Sequence, residues 1–438
     1  MIFSLDVLPA HKGDCLVLHY GSQDSPRLIL IDGGPSGVYV PQLKPRLQRI
    51  HRVRKLARNA PLPVDVVMVS HIDDDHIKGI IELTKEQLFK SPDLRLRVKS
   101  LWHNSFEDLI GGKADRVLKR YGASAVQASA GRNTAFDGLE ADDEETHQAV
   151  EVLASISQGR QLRDDRITLH LENKGQQWSL NHKFGGDSIV ATAASKPVTF
   201  EGGLTMTVVG PMQEELDALH KAHDKWVSKH PPKDVLAAFV DKSVPNLSSI
   251  VVLAELGGKT ILLTGDARGD RILQGLELVG LVKKDGKLHV DILKVPHHGS
   301  QNNMETGFFK RVTADHYVFS GDGQHGNPER ETLEMLLKAR GVDEEYEIHL
   351  TYSIEEIDKA REANWINEQG KEKKRKKKSS AQKPKAGKKK IVEVRADWSP
   401  AKHGLAALFK KNPKFANKLE IVDGKEPHLI NLFDKVKL

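Results

Sequence analysis

An α/β fold is what this sequence predicts, and two observations carry the prediction. A β-branched apolar run at residues 64–69 enters a turn of short polar residues and leads into a helix-like segment at 77–89. A strand-like run at 95–102 followed by His103-Asn104-Ser105 repeats the opening of that succession; alternating strand, polar turn and helix is the signature of layered α/β organisation. Side chains able to bind a cation also lie where apolar runs stop. At 438 residues the chain is long enough to bury a large core.

Residues 3–8 and 15–20 read as a hairpin turned at Gly13. A strand at 27–31 ends abruptly in Asp32-Gly33-Gly34-Pro35. Those glycines allow close backbone approach, either as a plain strand-end turn or to seat Asp32 beside a metal-binding histidine. Leu43, Leu47, Ile50, Val53 and Leu56 recur at spacings of three and four, an amphipathic helix over 39–59 with its apolar side in the core. In the helix at 77–89, Gly79 permits close packing at the start.

Residues 106–185 read as a variable excursion. A helix is suggested around Leu109, Val117 and Leu118, then a surface loop over 121–145, then a helix over 149–162. The pattern suits a lid over the site and a solvated insert equally. Alternation resumes at 204–209 and stops at Gly210-Pro211, and a polar helix at 213–229 is broken by Pro231-Pro232. Strands at 250–256 and 261–263 form a hairpin across Gly257-Gly258-Lys259 and deliver Thr264-Gly265-Asp266 to a sheet edge.

A helix at 272–278 precedes a strand at 291–295 that delivers Pro296-His297-His298-Gly299-Ser300. The strand at 315–320 delivers the glycine-rich turn containing His325, and Pro328 opens a helix at 329–339. An edge strand is expected at 346–352. The lysine-rich run 371–390 should be disordered when free, for it has like charges and no apolar residues. Alternation returns at 391–396, and 405–409 with 421–433 make a compact ending that rejoins the main body or forms an appendage. The expected organisation is a main domain over 1–355, a helix and flexible linker over 356–390, and a small C-terminal segment over 391–438.

His71, Asp73, Asp75 and His76 are four potential ligands within six positions. Their short side chains let the backbone wrap them around one point. With Asp266 and the histidines after residue 296 they suffice for two divalent ions, zinc or manganese by donor type, with iron a third option. Two ions about 3.5–4 Å apart lower the pKa of a shared water and stabilise entering and leaving oxygens. Asp266, arriving alone at a strand end, is the natural bridge. A metal-dependent hydrolase of phosphodiesters is the expectation.

Composition narrows the class further. A single cysteine, Cys15, excludes an internal disulfide and a four-cysteine metal site, and fits a reducing compartment. The N-terminal residues lack a signal-peptide pattern, and no apolar run approaches the roughly 20 residues of a membrane span; cytoplasmic residence is expected. The formal charge of +6 is unevenly spread: residues 371–390 hold twelve Lys or Arg against one Glu, a net +11, which leaves −5 elsewhere. Contact with nucleic acid through that run is one expectation, a solubilising linker or a localisation signal the alternatives; it has no aromatic residue on which a base could stack.

The run His71-x-Asp73-x-Asp75-His76 resembles the His-x-His-x-Asp-His signature of the metallo-β-lactamase fold superfamily, with Asp73 in place of the second histidine. That variant, with Asp14, Asp32-Gly33-Gly34, Thr264-Gly265-Asp266, Leu293-Lys294-Val295, His297-His298-Gly299-Ser300 and Gly326-Asn327-Pro328 beside His325, is similar to the hydrolase domain of the competence-related DNA-uptake channel family. The resemblance spans about residues 1–345 in order, loosely in the middle. It implies a four-layer α/β/β/α sandwich with metals at one edge between two mixed sheets. His71 and Asp73 would hold one ion, Asp75 and His76 the other, and Asp266 both. A histidine used by many members before the bridging aspartate has no counterpart here, where Asn246 and Ser249 stand.

His297 and His325 are expected to complete the metal shells, with His298 and Lys294 serving substrate or the leaving oxygen and Asp75 in the catalytic set. DNA or RNA is the substrate class the resemblance favours, cleaved through a hydroxide held by the two ions. A small-molecule hydrolase acting on a lactone, cyclic nucleotide or other ester, and a non-catalytic metal-containing nucleic-acid-binding protein, are the alternatives. The channel's membrane segments are missing from this sequence, so a detached hydrolase is expected.

Overall fold

The computed structural model describes residues 1–104, 144–215, 248–381, 393–422, 424 and 426–438. Its first half contains β1 (Ile2–Val7), β2 (Leu16–Gly21), β3 (Pro26–Ile31), α1 (Lys44–Val53), β4 (Leu62–Met68), α2 (Asp74–Gln87), β5 (Leu96–Trp102), α3 (Glu144–Glu172) and the short β6 (Ser179–Leu180). The second half contains β7 (Val198–Thr199), β8 (Thr205–Gly210), β9 (Val251–Leu256), β10 (Lys259–Leu263), α4 (Gly269–Leu278), β11 (Leu288–Lys294), α5 (Thr306–Arg311) and β12 (Val312–Phe319). It closes with α6 (Arg330–Arg340), β13 (Glu347–Leu350), α7 (Ile354–Ala381), α8 (Leu405–Lys411), β14 (Leu419–Ile421) and β15 (His428–Asn431).

Two mixed sheets form. One runs β15-β1-β2-β3-β4-β5-β6 and the other β14-β13-β12-β11-β10-β9-β8-β7. Strands buried on both faces account for the near-continuous apolar runs. In β3, Ile29 and Ile31 enter a core shared with Val252, Ile261 and Ile292 of the second sheet, while Leu28 and Leu30 pack against Leu47 of α1 and Ile80 of α2. The outer face of the second sheet is covered by Ile272 of α4, Phe309 of α5, Leu333 of α6 and Leu408 of α8. Three apolar cores therefore separate four layers, the expected α/β/β/α order.

Parallel pairing within both sheets aligns strand ends. β3, β4 and β5 run parallel, as do β10, β11, β12 and β13. Ligand sites in such sheets lie beyond the carboxyl ends of the strands. Here those ends meet: Ile250 N–H donates to Ser70 O at 2.8 Å, joining the loop after β4 to the start of β9.

Several expectations are revised. The helix expected at 149–162 extends to Glu172, because Leu162 and Leu169 bury against the layer that contains α2; Thr84 Oγ1 donates to Asp165 there at 2.9 Å. The strand expected at the edge, β13, is internal, flanked by β12 and β14. Part of the lysine-rich run, 371–381, continues α7, and residues 393–399 form no strand. The C-terminal segment rejoins the body on both sides: β14 pairs with β13 and β15 with β1. The helix expected around Leu109, Val117 and Leu118, all but the last two residues of the loop expected at 121–145, most of the polar helix at 213–229, and residues 382–392 lie outside the described residues. Among the described residues no helix is long and apolar enough to cross a membrane.

Gly79 has the close approach expected of it. Its N–H donates to Gly34 O at 3.0 Å, and a Cβ there would overlap the carbonyl oxygen of Gly33. Both partners are backbone, so neither can yield by a rotamer change. Gly79→Ala should lower unfolding free energy by about 1–3 kcal/mol, measured by urea denaturation; an unchanged midpoint would show that the α2 start is free to shift.

Candidate metal centre

The site is built from loops that leave strand ends. After β4 the chain passes Ser70, His71 and the buried Ile72, then Asp73 takes the N-cap position of α2 with extended backbone and no side-chain cap bond. Asp74, Asp75 and His76 thus occupy the first helical turn, where carboxylates meet the positive end of the helix dipole. The cap geometry leaves Asp73 Oδ2 3.7 Å from His71 Nε2.

Asp266 enters from the second sheet. Thr264 Oγ1 donates to Lys294 O at 2.7 Å, holding the end of β10 to β11. Gly265 is left-handed, and a Cβ there would stand 3.0 Å from that of Ser70. The Asp266 carboxylate is then divided. Its Oδ2 lies 3.7 Å from His71 Nε2 and 3.6 Å from His297 Nε2. Its Oδ1 lies 3.3 Å from His76 Nε2 and 3.5 Å from His298 Nε2. Asp75 closes the second group, with Oδ1 3.9 Å from His76 Nε2 and Oδ2 3.7 Å from His298 Nε2.

His297 and His298 both have positive φ, 47° and 52°. Non-glycine residues in that region cost about 1–2 kcal/mol each and persist where surrounding contacts over-determine them. His297 N–H donates to Gly265 O at 3.1 Å, and Ser300 N–H to His297 O at 2.9 Å. The turn thereby sends consecutive imidazoles to opposite oxygens of Asp266.

The donor set fits divalent cations. His71 Nε2 and Asp266 Oδ1 are buried and make no hydrogen bond, which costs about 1–3 kcal/mol each unless a cation takes the lone pairs. Imidazole and carboxylate without thiolate suit zinc, manganese or iron. Asp14, His76, Asp266 and His298 bring ligand atoms within 4.8 Å of one another, as do His71, Asp75 and His76.

Behind the cluster, carboxylates aim the rings. Asp32 Oδ2 is 2.8 Å from His76 Nδ1, and Ser70 donates to Asp32 from its N–H and its hydroxyl, both at 2.7 Å. With Nδ1 bonded to the carboxylate, His76 Nε2 turns its lone pair inward, as in metal-binding histidines. His298 Nδ1 lies 3.1 Å from Ser320 Oγ and 3.4 Å from Asp14 Oδ1. Ser320 in turn donates to Asp14, which pairs with Lys294 Nζ at 2.5 Å.

Charge is concentrated here. Burial, then the neighbouring His76, pushes the His71 imidazole down to about 3, so it stays neutral and able to bind. Burial acts the same way on His76, but the Asp266 and Asp32 carboxylates outweigh it and move His76 well above its ordinary value. Burial would raise Asp266, and the four surrounding imidazoles instead hold it well below the carboxylate range. Asp14 is also depressed: Lys294, then His298, overcome its burial. These carboxylates demand positive charge, which bound cations would supply.

His71, Asp73, Asp75, His76, Asp266 and His297 are brought to one rim of the two sheets. Three assignments change. His298, expected to serve substrate, has Nε2 among the inward-facing donor atoms because its Nδ1 is tied to Ser320 and Asp14. Lys294, expected to face a phosphate or water, is 1 % exposed and committed to Asp14. His325, expected as a ligand, sits on an exposed turn outside the cluster with its Nε2 3.3 Å from Lys12 Nζ. Asp14 and Ser320 had no assigned role; their place depends on two loops 306 residues apart, for which no local spacing exists.

No family model matches the chain. A stretch of 69 residues, 16% of the chain, is 39% identical to microtubule-associated protein futsch of Drosophila melanogaster, and the chain spans about 1% of that protein's length. A crystal structure from Parabacteroides distasonis, provisionally described as a metal-dependent hydrolase, aligns with 80% of this chain and 98% of its own at 10% identity and a TM-score of 0.29. Neither likeness assigns a family. The class is set by the molecule itself: a layered α/β protein with a buried His/Asp cluster able to hold metal ions.

Asp32→Asn should weaken zinc or manganese binding by about 10–100-fold, read by competition with a chromophoric chelator; unchanged affinity would remove Asp32 from the orientation of His76. Lys294→Met leaves the Asp14 carboxylate buried without its cation and should cost about 3–5 kcal/mol of stability in denaturant titrations.

Proposed function

We propose that this chain is a metal-dependent hydrolase of phosphodiesters, with DNA or RNA as substrate. The observation that carries the reading is the division of Asp266: one oxygen faces His71 and His297, the other His76 and His298. In this reading His71, Asp73 and His297 hold one ion, Asp75, His76 and His298 the second, and Asp266 is shared. Two bound divalent ions would supply an acidified water and charge stabilisation on the entering and leaving oxygens.

The protein's own groups hold and polarise this centre. Asp32 and Ser70 keep His76 Nε2 aimed inward, while Ser320, Asp14 and Lys294 do the same for His298. Lys12, partly exposed beside His325, is close enough to Asp75 to lower its carboxyl further, after His76 and His298. A cation and an imidazole at the rim suit a phosphate oxygen adjoining the scissile one.

A polymer is favoured over a small ester by the course of α7. Arg361 on this helix donates to Gly326 O at 3.1 Å, beside His325. Lys373, Lys374, Lys376 and Lys377 are exposed further along, about 18–24 Å from that contact at the rise of an α-helix. Lysines so placed suit sequence-independent contact with backbone phosphates several nucleotides from the cut.

Metal-reconstituted protein assayed in parallel on DNA, RNA, a cyclic dinucleotide and a lactone tests the proposal. Polynucleotide cleavage should fall roughly 10²-fold or more in Asp266→Asn and Asp75→Asn and vanish with chelator. Deleting residues 371–390 should raise KM at low to moderate salt, with kcat retained, and the difference from wild type should shrink as salt increases. Turnover of the lactone alone would overturn the substrate class, and the same metal content in Asp266→Asn as in wild type would overturn the centre.

A further inference from the structure

A second group of metal-binding side chains lies away from the Asp266 cluster. His316 is on β12, and Glu347 and His349 are on β13. His316 and Glu347 are register partners across the parallel pair, and His349 lies two residues on, which puts it on the same face of its strand as Glu347. Val318, two residues beyond His316, enters the core between the sheets, whereas Ile348 and Leu350 point to the helical side. The two histidines and the glutamate therefore share the inward side of the second sheet near its margin.

The three donor atoms make a closed triangle. His316 Nδ1 is 3.1 Å from Glu347 Oε2 and 3.1 Å from His349 Nε2, and the last two are 3.6 Å apart. A point about 2.0–2.1 Å from all three stands less than about 1 Å above their plane, at the bond lengths of zinc to imidazole and carboxylate. Tetrahedral zinc at such bond lengths spaces its ligand atoms about 3.3 Å apart, which these separations bracket.

The other nitrogen of His349 is already engaged. Its Nδ1 lies 2.8 Å from His428 Nε2 on β15, a strand of the opposite sheet. When the Nδ1 hydrogen is donated to His428, Nε2 is left with its lone pair toward His316 and Glu347, the outer-partner arrangement that fixes ligand histidines. His349 is buried, while His316 is partly exposed and Glu347 is half exposed; an ion could enter from solvent with water as a fourth ligand.

We propose that His316, Glu347 and His349 form a separate single-ion site for zinc or a like transition metal, at the seam where β13 meets the C-terminal strand β15. It is independent of the Asp266 cluster: four residues of extended chain, about 13 Å, separate His316 from Ser320, the residue that supports His298. Through His349 and His428 the bound ion stiffens a contact between the two sheets, so its role is structural. No substrate is assigned to it.

Equilibrium dialysis of the full-length chain against buffered free zinc, with metal counted by mass spectrometry, tests the site. Wild type should bind one zinc per chain more than His316→Gln and one more than Glu347→Gln, with the hydrolytic activity of both variants kept. An Asp266→Asn and His76→Gln double variant should still show the zinc equivalent that His316→Gln removes. Circular dichroism melts identify any variant that fails to fold, and Glu347→Gln, changed at an exposed position, preserves the comparison if His316→Gln does. Equal zinc content in wild type and Glu347→Gln would overturn the site while leaving the Asp266 centre untouched.

Discussion

One carboxylate organises this molecule. Asp266 is almost fully buried, and each of its oxygens faces a different pair of imidazoles. A charge in that position is unfavourable unless it is neutralised on all sides. The neighbouring layers provide for this: histidines on both oxygens, a lysine held behind His298 by Asp14, and a second carboxylate behind His76. Each compensating group is itself oriented by a third, so the cluster is a network and not a set of pairs.

The two-sheet scaffold supplies the geometry. Parallel pairing aligns the carboxyl ends of β3 and β4 in one sheet and of β10, β11 and β12 in the other, and packing the sheets face to face brings both sets of loops to one rim. The backbone departs from ordinary conformations at that rim. Asp32, His297 and His298 all take positive φ, in loops fastened by backbone hydrogen bonds on both sides. The C-terminal segment supplies the edge strand at one end of each sheet, beside β13 and β1; unpaired long edges invite association with other chains.

How much of this was legible in the sequence depended on spacing. His71, Asp73, Asp75 and His76 could be recognised as a group because a loop running into the first turn of a helix keeps residues of that separation close. Asp32 after its strand, with two glycines, was a lesser signal, and the structure gives it a partner in His76. His298 and His325 were not separable by local pattern. Both follow a strand and sit in glycine-containing turns with positive φ, yet one turn folds over Asp266 and the other out beside Lys12. Lys294 was expected to serve substrate or the leaving oxygen; its partner Asp14 lies in the first hairpin, 280 residues earlier in the chain.

The α/β class, most strand and helix positions and the grouping of His71, Asp73, Asp75 and His76 follow from periodicity, residue type and spacing, because these are properties of a few adjacent residues; the layer order was implied by the family resemblance. The convergence of Asp14, Asp266 and His298, the inward turn of the first imidazole pair's partners, the return of the tail to both sheets and the His316–Glu347–His349 triangle do not. Each is a contact between strands far apart in the chain. Such contacts are decided by sheet order and register, and those arise only when the three cores pack together.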